Sequence, residues 1–331
     1  MKHWWWKIMA ALLLLCASIA ALWVPLAPDL VHVAPDRIAP GPAGLLITGY
    51  NTRFSEGENV FLENAGQRVC PTSVETIDAT HLRAHFEVPA GMKDNLTDVC
   101  AGPLRYAGAL YTEGLGDGIA SGPCGAVKTF DLAFRFPNRN ILYESIRNLF
   151  FHVPMWFAMI ALMGISVAHS IRGLSTDALG HDRAALSAVQ TGLLFCALGL
   201  ITGSLWARAT WTSFWTNDVK LNGAAVTTLI YLAYLVLRGS VADAHKRTRL
   251  AAIYNIFAFV LLVLFLFVVP RLNAVDSLHP GNGGNSPFSD LDLDNRLRMV
   301  FYPAVLGWIL LAVWMFTLRD RAARLAEQPD R

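Results

Sequence analysis

Three groups of residues in this chain combine side chains able to do chemistry. His152 stands in Arg147-Asn-Leu-Phe-Phe-His-Val-Pro154. A ring-rich segment carries Trp206, Trp211, Phe214 and Trp215, followed by Asp218 and Lys220. His279 stands in Asp276-Ser-Leu-His-Pro-Gly281. A neutral imidazole ligates transition metals, and a low-spin haem iron takes one on each face. Two histidines from separate segments can supply one each. A porphyrin is a broad, flat, apolar ring, so aromatic side chains give it stacking area and exclude water. Its propionates need cations, and Arg147, Arg208 and Lys220 are placed to serve. Asp218 can orient a ligand imidazole or pair with Lys220.

Other readings of the same residues stand beside this one. A histidine at a membrane interface is ordinarily solvated or hydrogen-bonded, and interfacial tryptophans are ordinarily belt anchors. A cytochrome b-like electron carrier would want histidine pairs inside the spans, whereas both histidines here are read in loops. A cofactor-free permease or scaffold subunit would show broken helices or mid-span charges, and the spans are nearly free of ionisable groups. These alternatives stay open on residue types alone.

The elements that position the residues follow from composition. Of the 331 residues, 54% are hydrophobic and 16% charged, where a soluble domain carries about 25% charged. A net charge of +2 offers no footprint for nucleic acid. A bilayer core of about 30 Å needs about 20 apolar helical residues. Six stretches qualify, near Trp4–Val24, Val153–Ile171, Leu186–Leu205, Leu221–Leu237, Leu250–Val269 and Val300–Leu318. The fourth is short and is expected to extend into its flanks.

Charge orients the spans. Lys2, Lys7, Arg172, Arg183, Arg238, Lys246, Arg247, Arg249, Arg319, Arg321, Arg324 and Arg331 lie on one side. The opposite short loops hold Arg208, Lys220, Arg271, Arg296 and Arg298. Positive charge collects on the cytoplasmic side, so both termini are expected there, and His152, the ring-rich segment and His279 outside. Two readings of the first span remain, an uncleaved anchor and a signal peptide. Leu15 before Cys16 argues against a lipoprotein box.

Residues 35–135 change character. Short apolar runs at Gly44–Ile47, Asn59–Leu62, His81–Val88 and Ala126–Phe130 alternate with turn signals at Glu56–Gly57, Asn64–Gly66 and Ala90–Gly91. Several short strands at such spacing predict a small β-sandwich. The string Gly44-Leu-Leu-Ile-Thr-Gly-Tyr-Asn51 resembles the opening of an immunoglobulin-like TIG-type domain. The expected fold is therefore an all-α polytopic membrane bundle of six transmembrane helices, with an extracytoplasmic β-sandwich insert between helices 1 and 2. Its parts are an anchor over 1–27, the Ig-like insert over 35–135, a five-helix domain over 140–320 and a cytoplasmic tail over 321–331. Cys70, Cys100 and Cys124 all fall in the insert. An oxidising compartment permits one disulfide and leaves one thiol, and the sequence does not choose the pair. No C-x-x-C motif occurs, so zinc ribbons and thioredoxin-like motifs are unsupported.

Thr202, Gly203, Ser204, Trp206, Trp211, Trp215, Asp218 and Leu221 resemble the tryptophan-rich "WWD" segment of the haem-handling proteins. Within that group the chain is most similar to the CcmC family, the haem exporter C subunits of cytochrome c maturation. His152 with Val153 and Pro154 looks like the family's first haem histidine, and His279 like the second. Phe214 and Asn217 stand where the family has tryptophan, Lys220 where it has arginine, and Asp276 and Ser277 where it often has tryptophans. Lys220 keeps the charge of the arginine but loses its bidentate fork. The resemblance covers residues about 140–320. It implies a bacterial inner-membrane protein that binds haem b transiently, with His152 and His279 on iron, and passes it to a periplasmic CcmE-like haem chaperone. It also implies CcmA and CcmB, an ATP-binding-cassette pair, and a CcmD-like small subunit as partners. A haem-transfer subunit without turnover chemistry is expected, a haem lyase-type role at most. The chain carries no Walker A motif with which to hydrolyse ATP itself.

Remaining motifs are read as structure. Asp290-Leu-Asp-Leu-Asp294 lacks the glycine and glutamate of an EF-hand loop, and is expected to cap the sixth span. Pro280–Gly284 gives the segment after His279 backbone freedom. Gly199 and Gly203 are expected to let a neighbouring helix approach closely. His81, His85, His169 and His245 are assigned no ligand role.

Overall fold

The structure, a computed structural model, describes residues 4–55, 58–92, 94–114, 124, 133–139, 142–176, 179–272, 277–279 and 293–327. The chain separates into two compact units, Met1–Val24 with Glu144–Arg331, and Pro25–Tyr143. Among the described residues, six helices in the first unit are long and apolar enough to cross a membrane. They are α1 (Trp5–Trp23), α2 (Leu149–Thr176), α3 (Leu179–Trp211), α4 (Val219–Ser240), α5 (Ala244–Val263) and α6 (Asn295–Ala326). α2 follows a 3-10 turn at Tyr143–Asn148, and α5 runs on into a π-helical turn at Leu264–Val268 and a 3-10 turn at Val269–Arg271.

Aspartates open α4, α5 and α6. Asp218 accepts from the Lys220 and Leu221 N–H groups, Asp243 from Lys246 N–H, and Asp294 from Arg296 and Leu297 N–H. Each fills donors that the first helical turn leaves without a partner. The Asp294 cap is as expected; Pro280–Gly284, Asp290 and Asp292 lie outside the described residues. α4 is 22 residues long, so the short fourth span does extend into its flanks.

α2 sits at the centre, packed along α3, α5 and α6, while α1 lies along α6. Its buried face of Met155, Ala158, Met159, Leu162 and Met163 meets Phe195, Cys196, Tyr231, Tyr234, Ala258 and Leu262. Polar ties run between helices where lipid would leave them unsatisfied. Asn255 Nδ2 donates to Ser166 Oγ at 2.7 Å and Ser170 Oγ at 2.9 Å. Arg238 Nη2 donates to Asp182 Oδ2 at 2.7 Å.

Two expectations about local structure are corrected. His152 is not in a loop: it lies in the first turn of α2. Trp206 and Trp211 are not in a loop either, because α3 remains helical through Trp211. In both places the backbone keeps its internal hydrogen bonds beyond the apolar stretch, and a hydropathy reading stops where the apolar stretch ends.

The second unit is built of ten short strands among the described residues: β1 (Asp29–Ala34), β2 (Arg37–Ile38), β3 (Gly41–Tyr50), β4 (Val60–Asn64), β5 (Gln67–Val69), β6 (Pro71–Thr76), β7 (His81–Val88), β8 (Leu96–Ala101), β9 (Leu104–Arg105) and β10 (Leu110–Thr112). One sheet runs β1-β3-β7-β6, the other β2-β10-β8-β4-β5 with β9 beside β8. One core draws on both, with Leu45, Ile47, Leu82 and Phe86 from the first sheet and Val60, Leu62, Val99 and Leu110 from the second. Residues 56, 57 and 126–130 lie outside the described residues. Cys70 and Cys124 form the disulfide. Cys100 is a buried thiol, and burial pushes its pKa up, which keeps it protonated and unreactive.

Candidate functional site

The start of α2, the end of α3, the start of α4 and the end of α5 meet at one end of the bundle, because successive antiparallel helices alternate direction. They enclose a cavity of about 300 Å³ lined by His152, Trp156, Gly203, Trp215, Lys220 and His279, among others. Leu200, Leu221, Leu266 and Phe267 help to make its wall apolar.

His152 reaches this cavity because α3 carries no side chain in the way. A Cβ placed on Gly203 would lie 2.6 Å from His152 Cε1, and one on Gly199 would lie 3.0 Å from Trp156 Cε2. The paired glycines are thus the seats of two α2 side chains one helical turn apart. His152 Nδ1 lies 3.0 Å from Gly199 O and 3.2 Å from Thr202 Oγ1. A carbonyl can only accept, so this contact puts the proton on Nδ1 and the lone pair of the neutral ring on Nε2.

His279 is held by a different device. Its Nδ1 lies 3.2 Å from Asp218 Oδ1. Asp218 Oδ2 accepts from Ser277 Oγ at 2.7 Å and from Leu278 N–H at 2.8 Å. Ser277 Oγ in turn accepts from the His279 N–H at 3.2 Å. The carboxylate is buried. Burial alone would raise its pKa; the hydrogen bonds from His279 and Ser277, the His279 charge and the Leu278 N–H outweigh it and hold the carboxyl well below the usual range. An ionised acceptor at Nδ1 again directs the lone pair to Nε2. The His279 ring is boxed by Trp211, edge-on at 5.2 Å between centroids, and by Trp206 at 6.2 Å.

The ring-rich segment therefore divides. Trp206 and Trp211 brace His279, while Trp215 lines the cavity. Phe214 is exposed beneath the Arg208 guanidinium, 5.8 Å from its ring centroid, and Arg208 donates to Thr212 O. Lys220 lines the cavity, and its backbone N–H, 2.8 Å from Asp218 Oδ1, helps to open α4. Arg147 is not among the described lining residues. Its Nη1 donates to Ala21 O at 2.6 Å and Val24 O at 2.8 Å, and its Nε pairs with Glu144. It caps the carbonyl end of α1, where a cation is favoured.

Residues 125–330 match the family described as CcmC, heme exporter protein C. The chain belongs to that family. Among its relatives, heme exporter protein C of Bradyrhizobium diazoefficiens is 31% identical over 134 residues, 40% of this chain and 50% of that protein. The Haemophilus influenzae protein of the same name is 24% identical over 191 residues, 57% of this chain and 75% of its own. That of Escherichia coli K12 is 26% identical over 181 residues, 54% of this chain and 70% of its own. The match to the first of these relatives thus spans half of its length. The family match takes in every residue of the cavity and leaves most of the strand-rich unit outside it.

Several lining residues were given no site role from sequence, Trp156 and Arg271 among them. Trp156 stands four residues after His152, a spacing that puts both on one helix face. Arg271 ends α5 eight residues before His279, and no local pattern sets it apart from other interfacial arginines.

Proposed function

We propose that this chain holds haem as cargo at the outer face of the bacterial inner membrane and hands it to a CcmE-like periplasmic chaperone for cytochrome c assembly. One observation carries the reading: His152 and His279, from different elements, line one cavity, and each has an acceptor at Nδ1. The donor set suits the cargo. Two imidazoles with their lone pairs on Nε2 serve as axial ligands, Trp215 and Phe267 offer ring faces, and Lys220 offers a cation for a propionate. Trp206, Trp211 and Asp218 position His279. Phe214 and Arg147 stay outside the cavity, Phe214 on the exposed rim and Arg147 as a brace between α1 and α2.

The finer parts of the reading follow the family. Haem b is bound transiently, CcmA/CcmB and a CcmD-like subunit complete the complex, and both termini are cytoplasmic by the distribution of lysine and arginine. The strand-rich unit, read as an Ig-like sandwich, is the part available to dock a partner.

The test is a pyridine haemochrome assay on detergent-purified wild type beside His152→Ala and His279→Ala. Wild type should show a b-type spectrum and both variants a weakened one. Unchanged haem content in both variants overturns the assignment.

A further inference from the structure

At the end of the bundle away from the cavity, two histidines with no part in the haem reading face one another. His169 stands in α2 and His181 in the first turn of α3, and their Nδ1 atoms lie 3.0 Å apart. The ring centroids are 5.2 Å apart. His169 follows His152 by 17 residues on the same helix, which separates the two by about 25 Å along its axis.

Three helices build the place. Gly173, in the last turn of α2, lies against His181: a Cβ there would stand 3.5 Å from His181 Cβ. α6 brings Phe316, 6.4 Å from His169 between ring centroids. One turn further on, α6 brings Asp320, whose charge acts on His169 and whose Oδ1 accepts from Arg183 Nε at 3.2 Å. Arg183 has a second acid partner, Glu327, at 2.6 Å. The cations beside the pair, Arg172 and Arg183, are thus matched by Asp320 and Glu327. Both histidines are half-buried, so an ion from water can reach them.

A close contact between two imidazole nitrogens needs a proton, because one must donate and the other accept. A metal ion can take the place of that proton. Two nitrogen ligands of a tetrahedral zinc ion, each at about 2.0–2.1 Å, stand about 3.3 Å apart, so nitrogens now at 3.0 Å need to part by only about 0.3 Å. Among the described residues no three such ligands already surround one point. The two imidazoles therefore supply the fixed part of the site, and Asp320 with water completes it.

We propose that His169 and His181 form a site for a divalent transition metal of the zinc class, which ties α2 to α3 at the end of the bundle opposite the cavity. Imidazole suits zinc, copper and nickel alike. On binding, the metal accepts both Nδ1 electron pairs and the proton between them passes to water.

The experiment titrates full-length, detergent-purified protein, free of any histidine tag and stripped with a chelator, with Zn2+ by calorimetry. Wild type should take up one ion per chain at micromolar concentration. The His152→Ala/His279→Ala double variant should do the same, which separates this site from the haem histidines. His169→Gln and His181→Gln keep a hydrogen-bonding side chain, and each should bind about 10-fold more weakly or worse, since a lost ligand costs at least what a lost outer partner does. Zinc should also raise the unfolding temperature of wild type and not of the glutamine variants, a readout that a purely structural hydrogen bond would not give. No uptake by wild type overturns the site, as does uptake unchanged in both glutamine variants. Uptake lost in the double variant places the ion at the haem histidines and overturns it as well.

Discussion

Asp218 Oδ1 lies 3.2 Å from His279 Nδ1, and the same oxygen accepts the Lys220 N–H that opens α4. One buried carboxylate therefore fixes both a helix start and the orientation of an imidazole 61 residues further along the chain. Asp218→Asn keeps an oxygen able to cap the helix but loses the charge and two acceptor positions. Haem retention should fall about 10- to 100-fold, the usual cost of removing a partner that orients a ligand histidine. Far-UV circular dichroism should be unchanged. Full haem retention in this variant would remove Asp218 from the site.

The same carboxylate predicts a pH dependence. Its pKa in the folded protein is held below the ordinary value, so on acidification the unfolded chain takes up the proton first. The stability it contributes is fully present above the unfolded value of about 3.9 and is lost as pH falls below that range towards the folded pKa. Thermal unfolding in detergent from about pH 7 down to about pH 3 should show the gap between wild type and Asp218→Asn narrowing on the acid side. A gap that stays constant with pH argues against an ionised Asp218.

Gly203 is where α3 makes room for His152. Gly203→Ala puts a methyl group 2.6 Å from the ring, so ring or helix must move, at about 1–3 kcal/mol for overpacking. Haem content should drop together with thermal stability. Gly164→Ala is the control, since a Cβ there meets nothing within 4 Å; it should leave haem content at wild-type level and thermal stability no lower than wild type. Equal behaviour of the two variants would show that the close approach is not real.

Asn255 ties α5 to α2 through Ser166 and Ser170. Asn255→Ala should destabilise the bundle by about 1 kcal/mol, within the modest range of interhelical hydrogen bonds in membranes. Heat unfolding in detergent reads this change directly. Haem content should hold steady, because the cavity lies elsewhere along α2; a selective loss of haem would contradict that separation.

Much of this architecture is legible in local patterns. The apolar stretches announce six helices because a single run of about 20 apolar residues satisfies its own backbone in lipid as a helix. The His81–Val88 run alternates along the chain, and its residues alternate in burial in β7, since a strand shows its side chains to opposite faces. Asp294 reads as a cap from its place before an apolar run, and it is one. His152, His279, Trp215 and Lys220 stand out by type and spacing, and the fold brings all four to one cavity.

What the chain alone does not disclose depends on where helices end and what they meet. Helical hydrogen bonds continue past the apolar boundary, so Trp206 and Trp211 become helix residues that brace His279 rather than loop residues that line the cavity. Arg147 and Arg271 are both arginines at an interface; one caps α1, and the other, just past the π turn that follows α5, lines the cavity. Cys70 pairs with Cys124, and Cys100 in β8 stays a buried thiol. Hydropathy and alternation are properties of neighbours in sequence. Which cation, ring or thiol meets which partner is a property of neighbours in space, and only packing decides it.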